Sequence, residues 1–508
     1  MTDPRTPKEA GRGRDLRLRV LRDEPERPGG DYVVYWMTAS RRLEWNFALD
    51  RALARARALE RPLIILEGLR AGYRWASDRH HAFVLAGMEE HARRLEASPV
   101  AYLPYVEPEP GAGRGLLEAL AERACLVVTD DAPVFFLPRM LEAAAEQIDG
   151  RLEAVDSCGL LPLAEVEQPY VSAYHFRRFL QKRLGEHLTR LPDPDPLGLD
   201  GDSRPPLPPG AVPESILSRW AAADEALLAR EPSALAVLPI DHEVAPSPMK
   251  GGAAEGRARL ERFLADGLSR YGDERNQPDA DAASGLSPWL HFGHLSTHEV
   301  FHRVAGEEGW SPARLGDEAN GKRSGWWGMS ASAEAFLDEL VTWRELGYGF
   351  CRVVPGYERY ETLPDWALET LAEHAEDERP SLYTLDEFDA AATHDELWNA
   401  AQRQLRVEGV IQNYLRMLWG KKILEWSASP REALDIMVEL NNRYAIDGRD
   451  PNSYSGIMWI LGRFDRGWPE RPVFGKVRSM SSDATRRKVS LDRYLERWGG
   501  QPGLDLDG

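Results

Sequence analysis

The stretch IQNYLRMLWGKKILEW, residues 411–426, has the periodicity of an α-helix. Side chains spaced by four, seven and eleven positions share one face of such a helix. In this stretch that spacing joins Gln412, Arg416, Trp419 and Ile423. Trp426 follows Trp419 by seven residues, which places it about 10 Å further along the axis. The sequence therefore predicts one helix, which begins after a break at Gly409.

Arg416 lies on this face and requires a charged partner, because an unpaired buried charge is costly. The acidic segment DGRDP, residues 447–451, is a possible source of a carboxylate. The nearby tryptophans have a simpler explanation than function. Aromatic residues at helical spacing usually pack in a core, so periodicity alone favours packing for Trp398, Trp419 and Trp426.

Residues 31–190 alternate short apolar runs with helical patterns, which predicts an α/β domain with a parallel five-stranded, Rossmann-like sheet. The five runs are DYVVYWM, PLIILE, VAYLPYV, ACLVVTD and RLEAVD. No GxGxxG fingerprint follows the first run, so a dinucleotide site of the Rossmann type is not predicted there. Residues 1–30 are polar, with Arg, Pro and Gly, and we expect a disordered tail.

Residues 191–213 contain eight prolines and predict a semi-rigid linker between domains. Beyond this linker the apolar positions recur almost entirely at helical spacing. Residues 214–508 are therefore predicted to form a second, all-α domain.

The 508-residue chain carries a formal charge of −19, which argues against a nucleic-acid partner unless charge is distributed unevenly. It is uneven, since residues 463–498 contain ten Lys and Arg against five Asp and Glu, a local charge of +5. Screening over about 8–10 Å hides distant charge, so such a patch is able to bind phosphates. A solvated helix face is the ordinary alternative.

The cysteine content and the length of the apolar runs indicate where in the cell the protein is expected. The three cysteines, Cys125, Cys158 and Cys351, are isolated and form no metal-binding or disulfide pattern, which favours a reducing cytoplasm. No metal site is predicted. No apolar run has the length of a membrane span, and the N-terminal residues lack the apolar region of a signal peptide.

Several long segments resemble class II cyclobutane pyrimidine dimer photolyases of the photolyase/cryptochrome family. Four lie in the C-terminal half: THDELWNAAQ (393–402), LRMLWGKKILEW (415–426), NNRYAIDGRDPNSYSGIMW (441–459) and RGWPERPVFGKVRSM (466–480). Three lie earlier in the chain: VVYWMTASRR (33–42), residues 249–278 and SGLSPWLHFG (284–293). These segments occur along the chain in the same order as in the family.

The resemblance implies that the helical domain binds FAD in its reduced form, FADH⁻. The implied cofactor-binding residues are Tyr271, Ser284, Gly285, Leu286, Ser287, Arg344, Arg416, Asn441 and Asp447. Taken alone, residues 284–287 favour an ordinary serine cap before Pro288 over a phosphate site. In the family the N-terminal domain can hold a second, antenna chromophore of the deazaflavin or folate type, and the sequence leaves its presence open.

The resemblance also assigns a site for damaged DNA. Its implied catalytic residues are Glu339, Trp343, Met417, Asn441 and Trp459, and its implied DNA contacts are Arg275, Trp343 and Trp459. A Glu and a Trp four positions apart are usually incidental on a helix. Three tryptophans are implied to carry electrons to the flavin, with Trp419 nearest to it, Trp398 intermediate and Trp426 facing the surface.

The implied function is light-driven repair of pyrimidine dimers by a monomeric enzyme, cytoplasmic and associated with the nucleoid when bound to DNA. A cryptochrome-like blue-light receptor is the alternative, and loss of dimer-site residues would favour it. A non-photochemical flavoprotein oxidoreductase would need a nicotinamide site, which is not visible. The chain departs from the family at residues 411–413, where Ile-Gln-Asn replaces the usual Met-His-Gly, and residues 321–332 form a local Gly- and Trp-rich insertion.

Overall fold

A computed structural model describes residues 15–198, 205–208 and 210–500. Its N-terminal part contains a six-stranded sheet with strand order β1-β6-β5-β2-β3-β4. The strands are β1 (Leu18–Arg22), β2 (Tyr32–Met37), β3 (Leu63–Leu69), β4 (Ala101–Val106), β5 (Ala124–Asp130) and β6 (Leu152–Val155). Strands β2 to β6 are parallel and match the five predicted runs, which confirms the α/β prediction.

The prediction of a five-stranded, wholly parallel sheet is wrong by one edge strand. Strand β1 pairs antiparallel with β6 and lies inside the predicted disordered tail, of which residues 1–14 fall outside the described residues. Two arginines anchor this strand. Arg17 donates to the carbonyl oxygens of Gly159 and Leu160, and Arg19 forms two hydrogen bonds to Asp131. The arginines of this segment led to the prediction of a disordered tail, but Arg17 and Arg19 are held by partners that are distant in sequence.

Helices cover both faces of the sheet, as parallel strands require. Along β2, Tyr32 and Val34 face one apolar cluster, while Val33 and Tyr35 face the other. The covering helices are α1 (Phe47–Leu59), α2 (Asp78–Leu95), α3 (Leu116–Ala121) and α4 (Leu137–Gln147).

The turn after β2 is filled by a carboxylate of the protein itself. The backbone N–H groups of Thr38, Ala39 and Ser40 donate to Asp130 Oδ2 at 2.8, 2.8 and 3.0 Å. In a dinucleotide-binding Rossmann domain the corresponding turn holds the pyrophosphate. Occupation by Asp130 agrees with the missing glycine fingerprint and argues against a nicotinamide dinucleotide at this position.

The remainder is helical, and most of its helices share one large apolar core. Its α-helices are α5 (Ala173–Arg183), α6 (Glu214–Arg219), α7 (Glu225–Leu228), α8 (Pro232–Leu235), α9 (Ala253–Arg262), α10 (Leu268–Glu274), α11 (Ser287–His291), α12 (Thr297–Glu307), α13 (Ala331–Leu337), α14 (Arg344–Val353), α15 (Asp365–Glu373), α16 (Leu385–Asp389), α17 (Glu396–Glu408), α18 (Asn413–Trp426), α19 (Pro430–Tyr444), α20 (Pro451–Ile460), α21 (Ser482–Lys488) and α22 (Asp492–Trp498). Among the described residues, every helix is too short or too polar to cross a lipid bilayer.

The apolar clusters do not divide at residues 191–213. Helix α5 precedes this segment but packs through Phe176 and Leu180 in the helical core. Helix α6 follows it but packs through Ile216 on the sheet, and Leu235 of α8 packs beside α2. Short amphipathic helices are stabilised by whichever apolar face they reach, regardless of sequence order. The predicted division into residues 31–190 and 214–508 stays a prediction.

Candidate active site

Two long helices contain a π turn at the places where predicted site residues lie. Helices α9 and α10 are continuous through a π turn at Phe263–Gly267, and α13 and α14 through one at Asp338–Trp343. Such turns insert one extra residue into a helix and often occur at functional sites. The regular α-helix predicted around Glu339 and Trp343 is therefore wrong locally. Both side chains are partly buried.

Two adjacent carboxylates in this turn have different environments. Asp338 is held by Arg177 through two hydrogen bonds of 2.7 and 3.0 Å. Glu339 accepts no hydrogen bond from any described residue. Burial raises the pKa of Glu339 to about 6, and Asp338 adds to the rise, whereas the positive charges of Arg275 and Arg323 oppose it. Glu339 is thus a desolvated carboxylate that is free to bind a ligand.

Gln412 connects the beginning of α18 to the end of α10. Its Oε1 accepts hydrogen bonds from the backbone N–H groups of Tyr414 and Leu415 at 2.8 and 3.2 Å. Its Nε2 donates to the carbonyl oxygen of Arg275 at 2.8 Å. The residue that departs from the family pattern is therefore the cap of α18, which begins at Asn413 rather than at residue 411. It also fixes the backbone of a predicted DNA contact.

Trp343, Met417 and Trp459 are all partly buried and lie on three helices that pack together. Glycines allow the close approach. A Cβ at Gly347 of α14 would lie 2.9 Å from Asn452 Oδ1 of α20, and a Cβ at Gly420 of α18 would lie 2.8 Å from Ile460 Cγ1 of α20. These contacts place Trp343 and Trp459, the predicted aromatic residues of the dimer site, on neighbouring elements.

Cations lie over the ring of Trp459. Lys421 Nζ is 4.9 Å from the ring centroid and Arg478 Cζ is 5.9 Å from it. Lys421 is fully buried and donates to the carbonyl oxygen of Ile460 at 2.6 Å, so it fixes the end of α20 beside Trp459. Arg478 belongs to the basic segment at residues 463–498 and is the member of it that adjoins Trp459. Other members, such as Arg486 and Arg497, pair with glutamates.

The partner predicted for Arg416 is present. Arg416 Nη2 and Nη1 lie 2.9 and 3.2 Å from the two carboxylate oxygens of Asp447. This geometry holds the guanidinium in one plane. The prediction made from the helix face alone is confirmed.

A hydrogen-bond network fixes the amide orientation of Asn441, which is buried. Arg449 N–H donates to Asn442 Oδ1 at 2.9 Å, which identifies that atom as the acceptor. Asn441 must then use its own Nδ2 to donate to Asn442 Oδ1, at 3.2 Å. Asn441 Oδ1 accepts no hydrogen bond from the described part of the chain. It is available as an acceptor for a ligand N–H group.

Trp398 contacts both of the other tryptophans, which agrees with the intermediate position that the resemblance implied. Trp398 Nε1 donates to the carbonyl oxygen of Trp419 at 3.0 Å, and the rings of Trp398 and Trp426 have centroids 6.3 Å apart. The surface-facing position of Trp426 is wrong, because only 1% of it is exposed. Tyr383 and His394 cover its ring, with centroid distances of 5.7 and 4.9 Å.

The segment at residues 284–287 leads into α11, whose first residue is Ser287, but its serines do not cap that helix. Leu286 occupies the cap position and is buried in the core, so only its backbone is available to a ligand. Gly285 has φ of +64°, and a Cβ there would lie 3.0 Å from Arg259 Nε. Ser284 and Ser287 retain some exposure.

Arg344 points toward the α/β part of the molecule. It donates to the carbonyl oxygen of Cys158 at 2.5 Å and to Tyr348 Oη at 2.8 Å. Tyr348 in turn donates to Asp450. The structure does not bring Arg344 to the Arg416–Asp447 pair by any hydrogen bond.

A cavity of about 610 Å³ lies between the sheet and the helical part, and Arg344 lines it. Aromatic side chains contribute much of its wall: Trp36, Tyr73, Phe135, Phe136 and Phe292. Arg449 also lines it, is 3% exposed, and has a buried Nη2 without a hydrogen-bond partner in the described residues. Arg449 was not among the predicted site residues, although its position inside the DGRDP segment was a usable signal.

Comparison with known proteins identifies the family. No protein-family model matches the chain. A deoxyribodipyrimidine photo-lyase of Methanothermobacter thermautotrophicus is 33% identical over 486 residues, which cover 95% of this chain and 98% of that protein. The chain belongs to the deoxyribodipyrimidine photo-lyase family. The photo-lyase of Oryza sativa subsp. japonica is 35% identical, over 96% of this chain and 91% of its own.

Solved structures of lower sequence identity support the fold alone. A bacterial class III photolyase from Agrobacterium tumefaciens has a TM-score of 0.63 at 16% identity and covers 92% of this chain and 86% of its own. A Synechocystis sp. PCC6803 cryptochrome has the same TM-score and identity and covers 92% and 88%. The α/β sheet followed by a helical region is thus an architecture shared with photolyases and cryptochromes.

Proposed function

We propose that this protein repairs cyclobutane pyrimidine dimers in DNA with light, by electron transfer from reduced FAD. The observation that carries the proposal is the partly buried, unpartnered carboxylate of Glu339. A structural carboxylate in such a place is paired, as Asp338 is with Arg177. Membership of the photo-lyase family supports the same reaction.

The helical part fits a reduced flavin. Asn441 has its acceptor oxygen free, which suits the N5–H group of a reduced isoalloxazine better than the bare N5 of an oxidised one. Arg416, oriented by Asp447, supplies a guanidinium that favours an anionic ring. When bound, reduced FAD supplies the photo-excited electron that opens the cyclobutane ring and receives it back afterwards.

The remaining predicted cofactor residues would hold the rest of the molecule. Tyr271 and the segment at residues 284–287 are assigned to the phosphates by the family resemblance, in which Leu286 contributes its backbone. Arg344 fits this role least well, because its Nη1 and Nη2 already donate to Cys158 and Tyr348 within the protein.

The dimer would enter the site flipped out of the duplex, as reactions on stacked bases require. Trp343 and Trp459 provide apolar aromatic faces for its two rings, and Met417 fills the wall beside them. Glu339 would accept a hydrogen bond from a thymine N–H or, when protonated, donate to a carbonyl. Its pKa of about 6 makes both states accessible near neutral pH. Arg275 would bind a nearby phosphate.

Trp419, Trp398 and Trp426 would return an oxidised flavin to its reduced state by passing electrons inward. Their order follows the contacts, since Trp398 touches both other members. Because Trp426 is buried, the last transfer from solvent passes through the side chains that cover it.

The cavity of about 610 Å³ would hold the second, antenna chromophore. Its aromatic lining suits a planar ring system, and the unpartnered Nη2 of Arg449 suits an anionic group. Class II membership, a monomeric state and a cytoplasmic, DNA-associated location accompany this proposal on the strength of the segments that resemble class II enzymes.

One experiment separates repair from light reception. The reduced protein is illuminated with an oligonucleotide that contains one pyrimidine dimer, and recovered monomer is measured against a dark control. Repair that depends on both light and chemical reduction is the expected result. Normal photoreduction of the flavin without any monomer recovery would instead support a blue-light receptor.

A further inference from the structure

The Gly- and Trp-rich insertion forms a loop whose backbone is firmly held. We call residues 320–330 the Trp-Trp loop. At its beginning, Gly321 N–H donates to Gln181 Oε1 at 2.8 Å, Arg177 donates to the Gly321 carbonyl at 3.1 Å, and Gln181 donates to the Lys322 carbonyl at 3.1 Å. At its end, Glu334 accepts hydrogen bonds from the N–H groups of Gly325, Gly328 and Met329.

Two buried tryptophans hold the same loop against the core. Trp326 and Trp327 are 6% and 5% exposed. Trp327 accepts a hydrogen bond from the Trp310 indole through its carbonyl oxygen, at 2.6 Å, and packs against Phe301. The loop is therefore an ordered element of the fold.

Between these anchors the loop presents four consecutive exposed residues, Lys322, Arg323, Ser324 and Gly325. Two of them are cationic. Exposed acids, Asp317 and Glu318, precede the loop. Positive charge is therefore confined to the tip.

The tip lies next to the π turn that carries Glu339. Arg323 Nε is 3.6 Å from Asp338 Oδ2, and Asp338 immediately precedes Glu339. Both oxygens of Asp338 already accept shorter hydrogen bonds from Arg177. Arg323 is 66% exposed, and exposed ion pairs contribute little to stability. The fold does not need this guanidinium, yet it is placed at the edge of the candidate site.

We propose that the Trp-Trp loop is a DNA-binding element in which Lys322 and Arg323 contact phosphates close to the flipped dimer. The proposal rests on the proposed repair function and adds a contact outside the segments that resemble the family. A fixed backbone with two flexible cationic side chains suits the DNA backbone, which carries negative charge and the same chemistry at every base. We expect the contact to increase affinity without base preference.

The effect is measurable as salt dependence. Each phosphate contact contributes about 0.9 to the slope of log affinity against log salt concentration. The slope for a dimer-containing duplex should therefore fall by about 0.9 in Arg323→Ala and by about 1.8 in the double variant Lys322→Ala/Arg323→Ala. Arg323→Lys keeps the charge and should keep the slope.

Arg93→Ala is the matched control, because Arg93 is 69% exposed, pairs with Glu89 and lies on α2 in the α/β part. Its slope should equal that of the wild type. FAD content and thermal unfolding of each variant verify that the loop change has not damaged the fold.

The outcomes distinguish this proposal from the proposed function. If wild-type protein binds and repairs the duplex while Arg323→Ala, the double variant and Arg93→Ala all share its slope, the loop proposal is overturned and repair stands. If the wild type binds no DNA at any salt concentration, both proposals are overturned. A reduced slope in the loop variants alone supports the assignment.

Discussion

Replacing Glu339 by Gln should stabilise the protein at neutral pH while impairing repair. Folding raises the pKa of this carboxyl from an ordinary 4.5 to about 6, mainly through burial. The folded state therefore binds the proton more tightly, and the carboxyl destabilises it increasingly as pH rises from 4.5 to 6. Above pH 6 the penalty is constant, about 2 kcal/mol from the pKa change and nearer 1 kcal/mol after allowance for residual solvent contact.

The stability assay is denaturant unfolding of the holoprotein at several pH values. Glu339→Gln should match the wild type near pH 4.5 and exceed it by about 1–2 kcal/mol at pH 8. Glu255→Gln removes an exposed carboxylate from α9 and should show no such pH-dependent difference. The reasoning is refuted if Glu339→Gln gains nothing at pH 8, because Glu339 would then be fully solvated.

The functional assay is monomer recovery by the chemically reduced enzyme under light. Loss of a hydrogen bond to a charged group costs about 1.5–3 kcal/mol, so Glu339→Ala should lose about ten- to hundredfold in dimer affinity or repair yield. FAD binding and photoreduction should persist, since neither uses this carboxylate. Undiminished repair in Glu339→Ala would contradict the assigned role.

Three further changes test the flavin, the electron path and the cavity. Trp419→Phe should abolish photoreduction of oxidised flavin, whereas repair should persist after chemical reduction; an unchanged photoreduction rate would contradict the path. Asp447→Asn should lower FAD content, because it removes the carboxylate that orients Arg416, and absorbance of the purified protein measures this. Arg449→Met should lose any antenna absorbance while repair by directly excited flavin continues, and co-purification of the same pigment would contradict the cavity assignment.

The buried strands of the sheet and the charged partner of Arg416 were predictable from short stretches of sequence. The apolar runs of β2, β3, β5 and β6 are buried on both faces, so their composition alone identified them. A carboxylate partner for Arg416 from residues 447–451 followed from the requirement that a charge on a packed helix face be neutralised. Both inferences used a rule that holds wherever the chain places the segment.

Features that depend on distant partners were not predictable in the same way. Strand β1 was missed because its arginines are satisfied by Gly159, Leu160 and Asp131, more than a hundred residues away. The surface position of Trp426 came from the family resemblance, whereas periodicity alone favoured packing; nothing in its own helix identifies Tyr383 and His394 as the residues that cover it. Tertiary contacts of this kind leave no periodic signal.

The surroundings of the two acids in the π turn at Asp338–Trp343 could not be predicted from the sequence. In the sequence, Asp338 and Glu339 are adjacent acids, and either carboxylate is chemically able to bind a dimer. In the folded protein Asp338 is bound by Arg177, whereas Glu339 is desolvated and has no partner among the described residues. A carboxylate already holding two charge-assisted hydrogen bonds has little left to offer a ligand. The position of an arginine on α5 therefore supports the proposal, first implied by the family resemblance, that Glu339 rather than Asp338 recognises the dimer.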